Sequence, residues 1–407
     1  MHSGLGLPGI GLMRGGKRPF SPLDLFQNGL YSGFYYDFSK TDRTFQESTG
    51  QTIADDDAEV VGLALEESQW AGKTLAQLLS SLPNQITNAD NEAALMTAAY
   101  GAVSTTRGAV AQSSDRGFSG TMSAKFTADA TTGAHYILIA AGAVPGNKTL
   151  FIRAKVYVPT GSISAARMID SGDGSWVTAN LTTKDAWVTL NGIRGQKGSA
   201  WALGLGNNAS ETISGQTFYI DDLEIYEIPG NHGLQATGAA RPTRKTGGFL
   251  RFDGSDDNLL TTLNPSLALT MAFKGVPVTN NACVMGGQPG TSNRCGLFIN
   301  SAGQIGAGVG TQSSATILGG SDVRNTLGVG AVAFDGATVR LYWNGVEIYN
   351  DAQAGAPSTT IPIRLGCLNN NGTAGTFSQV DKYKALAINR ALSASEILAL
   401  TNFWGTT

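Results

Sequence analysis

Cysteine, histidine and charge are all scarce in this chain of 407 residues. The three cysteines, Cys283, Cys295 and Cys367, fall in the last third without CxxC spacing, which argues against a disulfide framework and against a zinc site. They read as buried thiols acting as small hydrophobes, with a Cys283–Cys295 pairing as the alternative. The three histidines, His2, His135 and His232, lie far apart, and no G-x-S-x-G or comparable nucleophile motif accompanies them, so a catalytic triad is not expected. Charged residues are 14% of the chain, against about 25% in an average soluble protein. The net charge of −3 offers no basic footprint for nucleic acid. No run of 18 or more apolar residues is present to span a bilayer as a helix.

What is plentiful is glycine, 53 residues, together with Ser, Thr and Asn, a composition that suits turn-rich β structure. The length suggests two large domains plus smaller pieces. Residues 3–20, SGLGLPGIGLMRGGKRPF, hold six glycines and Pro8, and each glycine costs a helix about 1 kcal/mol, so an extended course is expected. GLGLPG at 4–9 fits G-x-G-x-x-G by letters, but three residues precede it where the dinucleotide fingerprint needs a strand. A secretion signal is not expected either, because Arg14, Lys17 and Arg18 follow the weakly apolar part instead of preceding it. The segment reads as a strap onto a partner. Behind it Phe26, Tyr31, Phe34, Tyr35, Tyr36, Phe38 and Phe45 form an aromatic set that must cover some surface. Leu75, Leu78, Leu79 and Leu82 then predict a short helix over 74–82, ended by Pro83.

From residue 84 to 229 the chain turns to short strands, clearest in LFIRAKVYV, where Phe151, Arg153, Lys155 and Tyr157 alternate with Ile152, Ala154, Val156 and Val158. Strands without intervening helices predict an antiparallel sandwich. Residues 230–245 read as a linker. From 246 to 407 strands return, with Asp335-Gly336 and Asn344-Gly345 as two-residue hairpin turns. A capping box, Ser393 with Glu396, opens a closing helix.

The segment RLGCLNNNGTAGTFSQVDKYKALAINRALSASEIL, with LRFDGSDDNLLTT and VRLYWNGVEI upstream, resembles laminin-G-like, concanavalin A-like sandwich domains. LFIRAKVYVPTGS and FYIDDLEIYEI resemble a carbohydrate-binding jelly roll. SPLDLFQNGLYSGFYYDFSKTDRTFQESTG, leading to VGLALEES, resembles a segment common in phage and prophage virion proteins, although Glu66-Glu67 replaces the usual Asp-Lys pair. Together these resemblances imply a mainly β protein. Two antiparallel β-sandwiches, one jelly-roll (84–229) and one laminin-G-like (246–407), would follow an extended N-terminal anchoring arm with a short helix (1–83).

The function so implied is that of a fibre, spike or decoration protein on the surface of a phage or phage-like particle. It would dock on capsid or tail and bind host-surface glycans without turnover, as a homo-oligomer, with a trimer favoured. The competing reading is a secreted adhesin or glycan-active enzyme with two lectin-like modules. Docking would fall to Arg14, Lys17, Arg18, Phe20, Phe26, Tyr35 and Tyr36. Sugar binding needs an aromatic platform with polar neighbours, because pyranose rings present apolar C–H faces rimmed by hydroxyls. Trp176 and Trp201 are the platform candidates, with Asn207, Asn208, Asn369, Asn370 and Asn371 as hydrogen-bonding partners, whereas Trp187 alternates within a strand and reads as core. No cofactor is expected beyond a structural calcium, for which Asp221, Asp253 and Asp256 are the candidate ligands.

Overall fold

The computed structural model describes residues 19–405 except 49–51, 71, 99–102, 145, 147, 171–174, 179, 196–200, 212–213, 290–292, 311–316, 353–356 and 358. Seven elements carry the architecture: β1 (Gly33–Asp37), α1 (Leu75–Leu79), β2 (Thr149–Tyr157), β3 (Trp187–Arg194), β4 (Thr217–Ile228), β5 (Gln379–Ile388) and α2 (Ala394–Trp404). The fold is mainly β, and its strands pair antiparallel in all but one instance among the described residues. No helix among the described residues is long and apolar enough to cross a membrane.

The first sandwich occupies residues 104–228. One sheet runs β3–β2–β4 and continues through Ser123–Ala128 to Gly108–Ser113. The facing sheet is built from Ser104–Thr106, Gly133–Val144, Arg167–Asp170, Ser175–Trp176 and Trp201–Glu211. The alternation along β2 has its expected consequence, since Ile152, Ala154 and Val156 enter the shared core with Phe126, Ile137, Leu205 and Phe218.

The second sandwich packs an eight-stranded sheet, with β5 near its centre, against a sheet of shorter strands that includes Ala282–Gln288, Arg294–Ile299 and Ile305–Gly310. The Asn344-Gly345 turn is left-handed at both residues, φ 50° and 79°, as a two-residue hairpin requires. Ser393 and Glu396 form the capping box of α2, which lies on the outer face of the eight-stranded sheet. Cys283, Cys295 and Cys367 are free and buried, and Cys295 belongs to the sandwich core.

Of the segment expected to be an anchoring arm (1–83), the stretch from Gly33 to Phe45 is instead part of this second sandwich. β1 pairs with β5 from Gly33↔Ile388 to Asp37↔Lys384. Its alternate residues serve two cores. Phe34, Tyr36 and, just beyond, Phe38 fill the space between the sheets, while Tyr35 joins Leu25 and Phe26 under α2 and stacks on Trp404 at 6.4 Å. Phe26, Tyr35 and Tyr36 are therefore buried within their own chain and unavailable for docking. The physical reason is the edge of β5: a partner strand satisfies its backbone groups, and aromatics on both faces close both cores at once. Phe20 is half-buried against Phe403, ring centroids 6.2 Å apart, and Arg14, Lys17 and Arg18 lie outside the described residues.

The expected linker is likewise built in. Gly233–Leu234 and Thr243–Lys245 join the two sheets of the second sandwich, and Arg244, buried, donates to Phe38 O at 3.0 Å and Thr44 Oγ1 at 3.1 Å. Glu66 knots the crossing point, accepting from Tyr35 N, Ser68 N and Asn231 N at 3.3, 2.6 and 2.9 Å. Burial pushes the Glu66 carboxyl up to about 7 and the neighbouring His232 imidazole down to about 4. Gly230 passes over this knot at φ 142°, and a Cβ there would meet Glu66 Oε1 at 2.1 Å, so only glycine fits.

α1 is shorter than expected. Thr74 and Gln77 cap it reciprocally, but Ser80 and Ser81 turn their hydroxyls onto Gln77 O and Leu78 O and end it ahead of Pro83. Leu78 anchors α1 in a cluster with Phe45, Leu63 and Trp70 from the N-terminal segment and Phe151, Ile193 and Ile228 from the first sandwich. That cluster sets the position of α1 beside β2 and β4.

Candidate functional site

Because successive strand residues point to opposite faces, the side chains of β2 that point away from the first sandwich's core form a row: Phe151, Arg153, Lys155 and Tyr157. Register supplies their neighbours. Tyr157 lies opposite Trp187 of β3 and Tyr219 of β4, Lys155 opposite Thr189, Arg153 opposite Glu224, and Phe151 opposite Tyr226. A bulge at Asp222, φ 45°, lets β4 carry both the Tyr219 and the Glu224 side chains toward this face.

The upper half of the face is aromatic. Tyr157 meets Trp187 at 5.7 Å and Tyr219 at 6.1 Å, and Phe118, 44% exposed on the preceding loop, meets Trp187 edge-on at 5.9 Å. Cations frame these rings. The Lys155 ammonium lies 4.3 Å from the Phe118 ring and donates to Thr189 Oγ1 at 2.8 Å, and the Arg116 guanidinium lies 4.8 Å from Tyr157. Below them Arg153 pairs with Glu224 at 2.5 Å, and a depression of about 210 Å³ opens between Arg153, Lys155, Thr189, Asp222 and Glu224. At the margin, hydrogen bonds from Lys125 hold Asp115 below the usual carboxylate range, and those from Thr160 do the same for Asp185.

Asp221 serves this face by fixing one of its loops. It is fully buried, and its oxygens accept from Phe118 N, Ser119 N and Asp222 N at 2.8, 3.3 and 2.9 Å, so the loop carrying Phe118 is fixed by it. Asp253 and Asp256 do approach each other, within 4.8 Å together with Asp257 in the second sandwich. There Asp253 accepts from Ser255 N at 2.8 Å and Asp257 from Asp253 N at 2.9 Å, and burial pushes Asp257 up to about 7. The loop's own amides account for that arrangement.

Of the expected sugar-binding residues, the side chains of Trp176, Trp201 and Asn208 lie outside the described ones. Asn207 is buried, 5% exposed, on the opposite sheet. Asn369, 1% exposed, donates to Pro362 O and accepts from Gly372 N, bracing the turn at Asn371, whereas Asn370 and Asn371 are exposed on the second sandwich. Trp187, read as core, is half-buried on the outward face. The alternation in its strand was genuine, but Val188 and Leu190 take the inward phase. Tyr157 and Tyr219 were legible only as alternating strand residues, and Phe118 carried no signal, because its place depends on the contact with Asp221, 103 residues away in sequence.

No protein-family model and no curated protein matches this chain. Among solved structures it is similar to the CBM40 of the Ruminococcus gnavus IT-sialidase bound to α2,3-sialyllactose, with 18% identity, 34% of this chain and 84% of that one covered, and a TM-score of 0.30. It is also similar to the CBM22-1 xylan-binding domain of Paenibacillus barcinonensis Xyn10C, with 16% identity, 31% and 86% covered, and a TM-score of 0.26. A third is domain 4 of AbnA, an extracellular arabinanase from Geobacillus stearothermophilus in complex with arabinotriose, with 17% identity, 39% and 83% covered, and a TM-score of 0.29.

Proposed function

We propose that the protein binds glycans, without turning them over, on the outward face of the β3–β2–β4 sheet. The observation that carries this reading is the aromatic group on that face, in which half-buried Trp187 and exposed Phe118 rest on buried Tyr157 and Tyr219, bordered by Lys155, Thr189 and Arg116. The Trp187 and Phe118 rings offer area to the C–H faces of a sugar, and the flanking donors suit its hydroxyls. On a glycan array, the full chain should give signals that Trp187→Ala weakens by about 10- to 100-fold, the loss of one stacked aromatic platform. Undiminished binding by a variant with an unchanged melting curve would sink the assignment, and sugar release in a reducing-end assay would make the protein an enzyme.

We further propose that this face is displayed in several copies on a phage or phage-like particle, where weak sites add through multivalency. The support is the order of the three resembling segments along the sequence. With Phe26, Tyr35 and Tyr36 buried in the chain itself, attachment is assigned to residues ahead of Phe20. Particles made with a chain lacking residues 1–18 are expected to lose the protein, and normal incorporation would refute this placement in favour of a secreted adhesin.

A further inference from the structure

Beside the candidate face, α1 and the sheet enclose a groove of about 570 Å³, a size that ordinary ligand sites share. Ala76 and Leu79 of α1 form one wall, and Phe151, Arg153 and Tyr226 form the other. Resting on the glycan reading above, we infer that this groove is a second sugar subsite of the same face. One of its walls comes from outside the sandwich, and the ligand is a linear oligosaccharide lying along β2.

Continuity argues for that occupant. Arg153 lines both the groove and the 210 Å³ depression, which reaches Lys155 and Thr189 beside the Trp187–Tyr157 rings. The outward row from Phe151 to Tyr157 spans about 20 Å at the rise of a β-strand, more than one ring requires. The chemistry repeats at both ends. Phe151 and Tyr226, centroids 6.4 Å apart, give the groove an aromatic wall, while Asp42, Thr74 and Ser80 keep its margin polar. Between the two aromatic ends lie the ionic and hydroxyl groups Arg153, Glu224, Lys155 and Thr189. A purely apolar ligand would have to desolvate that middle stretch, whereas a sugar chain meets it with hydroxyls. The wall is also firm, because Leu78 is locked under α1 with Phe45, Leu63 and Trp70.

The test uses the full chain and an array of linear neutral and uronic-acid glycans graded from disaccharide to hexasaccharide. Wild-type binding should strengthen about tenfold along the best series, as one more stacked ring would provide. Ala76→Arg, an exposed substitution that fills the groove, should abolish this gain while leaving disaccharide binding intact. Tyr226→Ser, with the melting curve as control, should do the same from the opposite wall. If length brings no gain, or the gain survives both substitutions, the second subsite is refuted and the glycan face stands. If the wild type binds no member of the array, both fall together.

Discussion

A chain that begins at Lys40 is expected to lose its C-terminal sandwich, although the removed residues read in the sequence as a detachable arm. Removal of residues 1–39 strips Phe34 and Tyr36 from between the two sheets and Tyr35 and Phe26 from beneath α2, and leaves the stretch of β5 from Lys384 to Ile388 without its partner on that edge. Truncating one buried phenylalanine to alanine costs about 3–5 kcal/mol, so four such losses match or exceed the roughly 5–15 kcal/mol that holds a domain together. Differential scanning calorimetry and limited proteolysis should show no cooperative melt for residues 246–405 in this variant. A chain beginning at Pro19 should melt like the full chain. Phe34→Ala, the milder version, should lower stability by about 4 kcal/mol. An unchanged melt after removal of residues 1–39 would mean that β1 is dispensable and the arm reading correct.

That arm shows where sequence reasoning stops. Hairpins at Asn344-Gly345, the Ser393–Glu396 box and the alternation of β2 were legible because each is decided within a few residues. GFYYDF is equally local, yet its meaning is not. A strand buried on both faces shows no polar alternation, so its aromatics look like a sticky surface until the edge of β5, some 350 residues later, is placed beside it. The same logic explains the linker, whose Arg244 and His232 became buried only once Phe38, Thr44 and Glu66 arrived to bond them. It also explains the candidate face. Pattern alone could say that Trp187 and Val188 point oppositely but could not say which of them meets water, and the wall supplied by α1 exists only in three dimensions.

A fully buried lysine leads to the second large effect, Lys382→Met. Lys382 in β5 is fully buried among Cys283, Cys367 and Phe252, its ammonium 4.7 Å from the Phe252 ring, and it donates to Val284 O at 3.0 Å. No carboxylate lies within ion-pair distance of it among the described residues. Burial therefore lowers its pKa from the usual 10.5 to about 7, the nearby thiols opposing the shift only weakly. Since the unfolded chain keeps the proton between pH 7 and 10.5 while the native chain releases it, native stability rises with pH across that window. Below pH 7 the native state must carry a buried ammonium at a cost on the order of 5 kcal/mol, taking 1.36 kcal/mol per pKa unit. Methionine fills nearly the same volume without that charge, so Lys382→Met should raise stability by several kcal/mol at pH 6, an advantage that shrinks toward pH 10 as the wild-type amine becomes neutral. Urea unfolding of both proteins from pH 6 to 10 measures the difference directly. Two parallel stability curves would show that Lys382 does not titrate in this range.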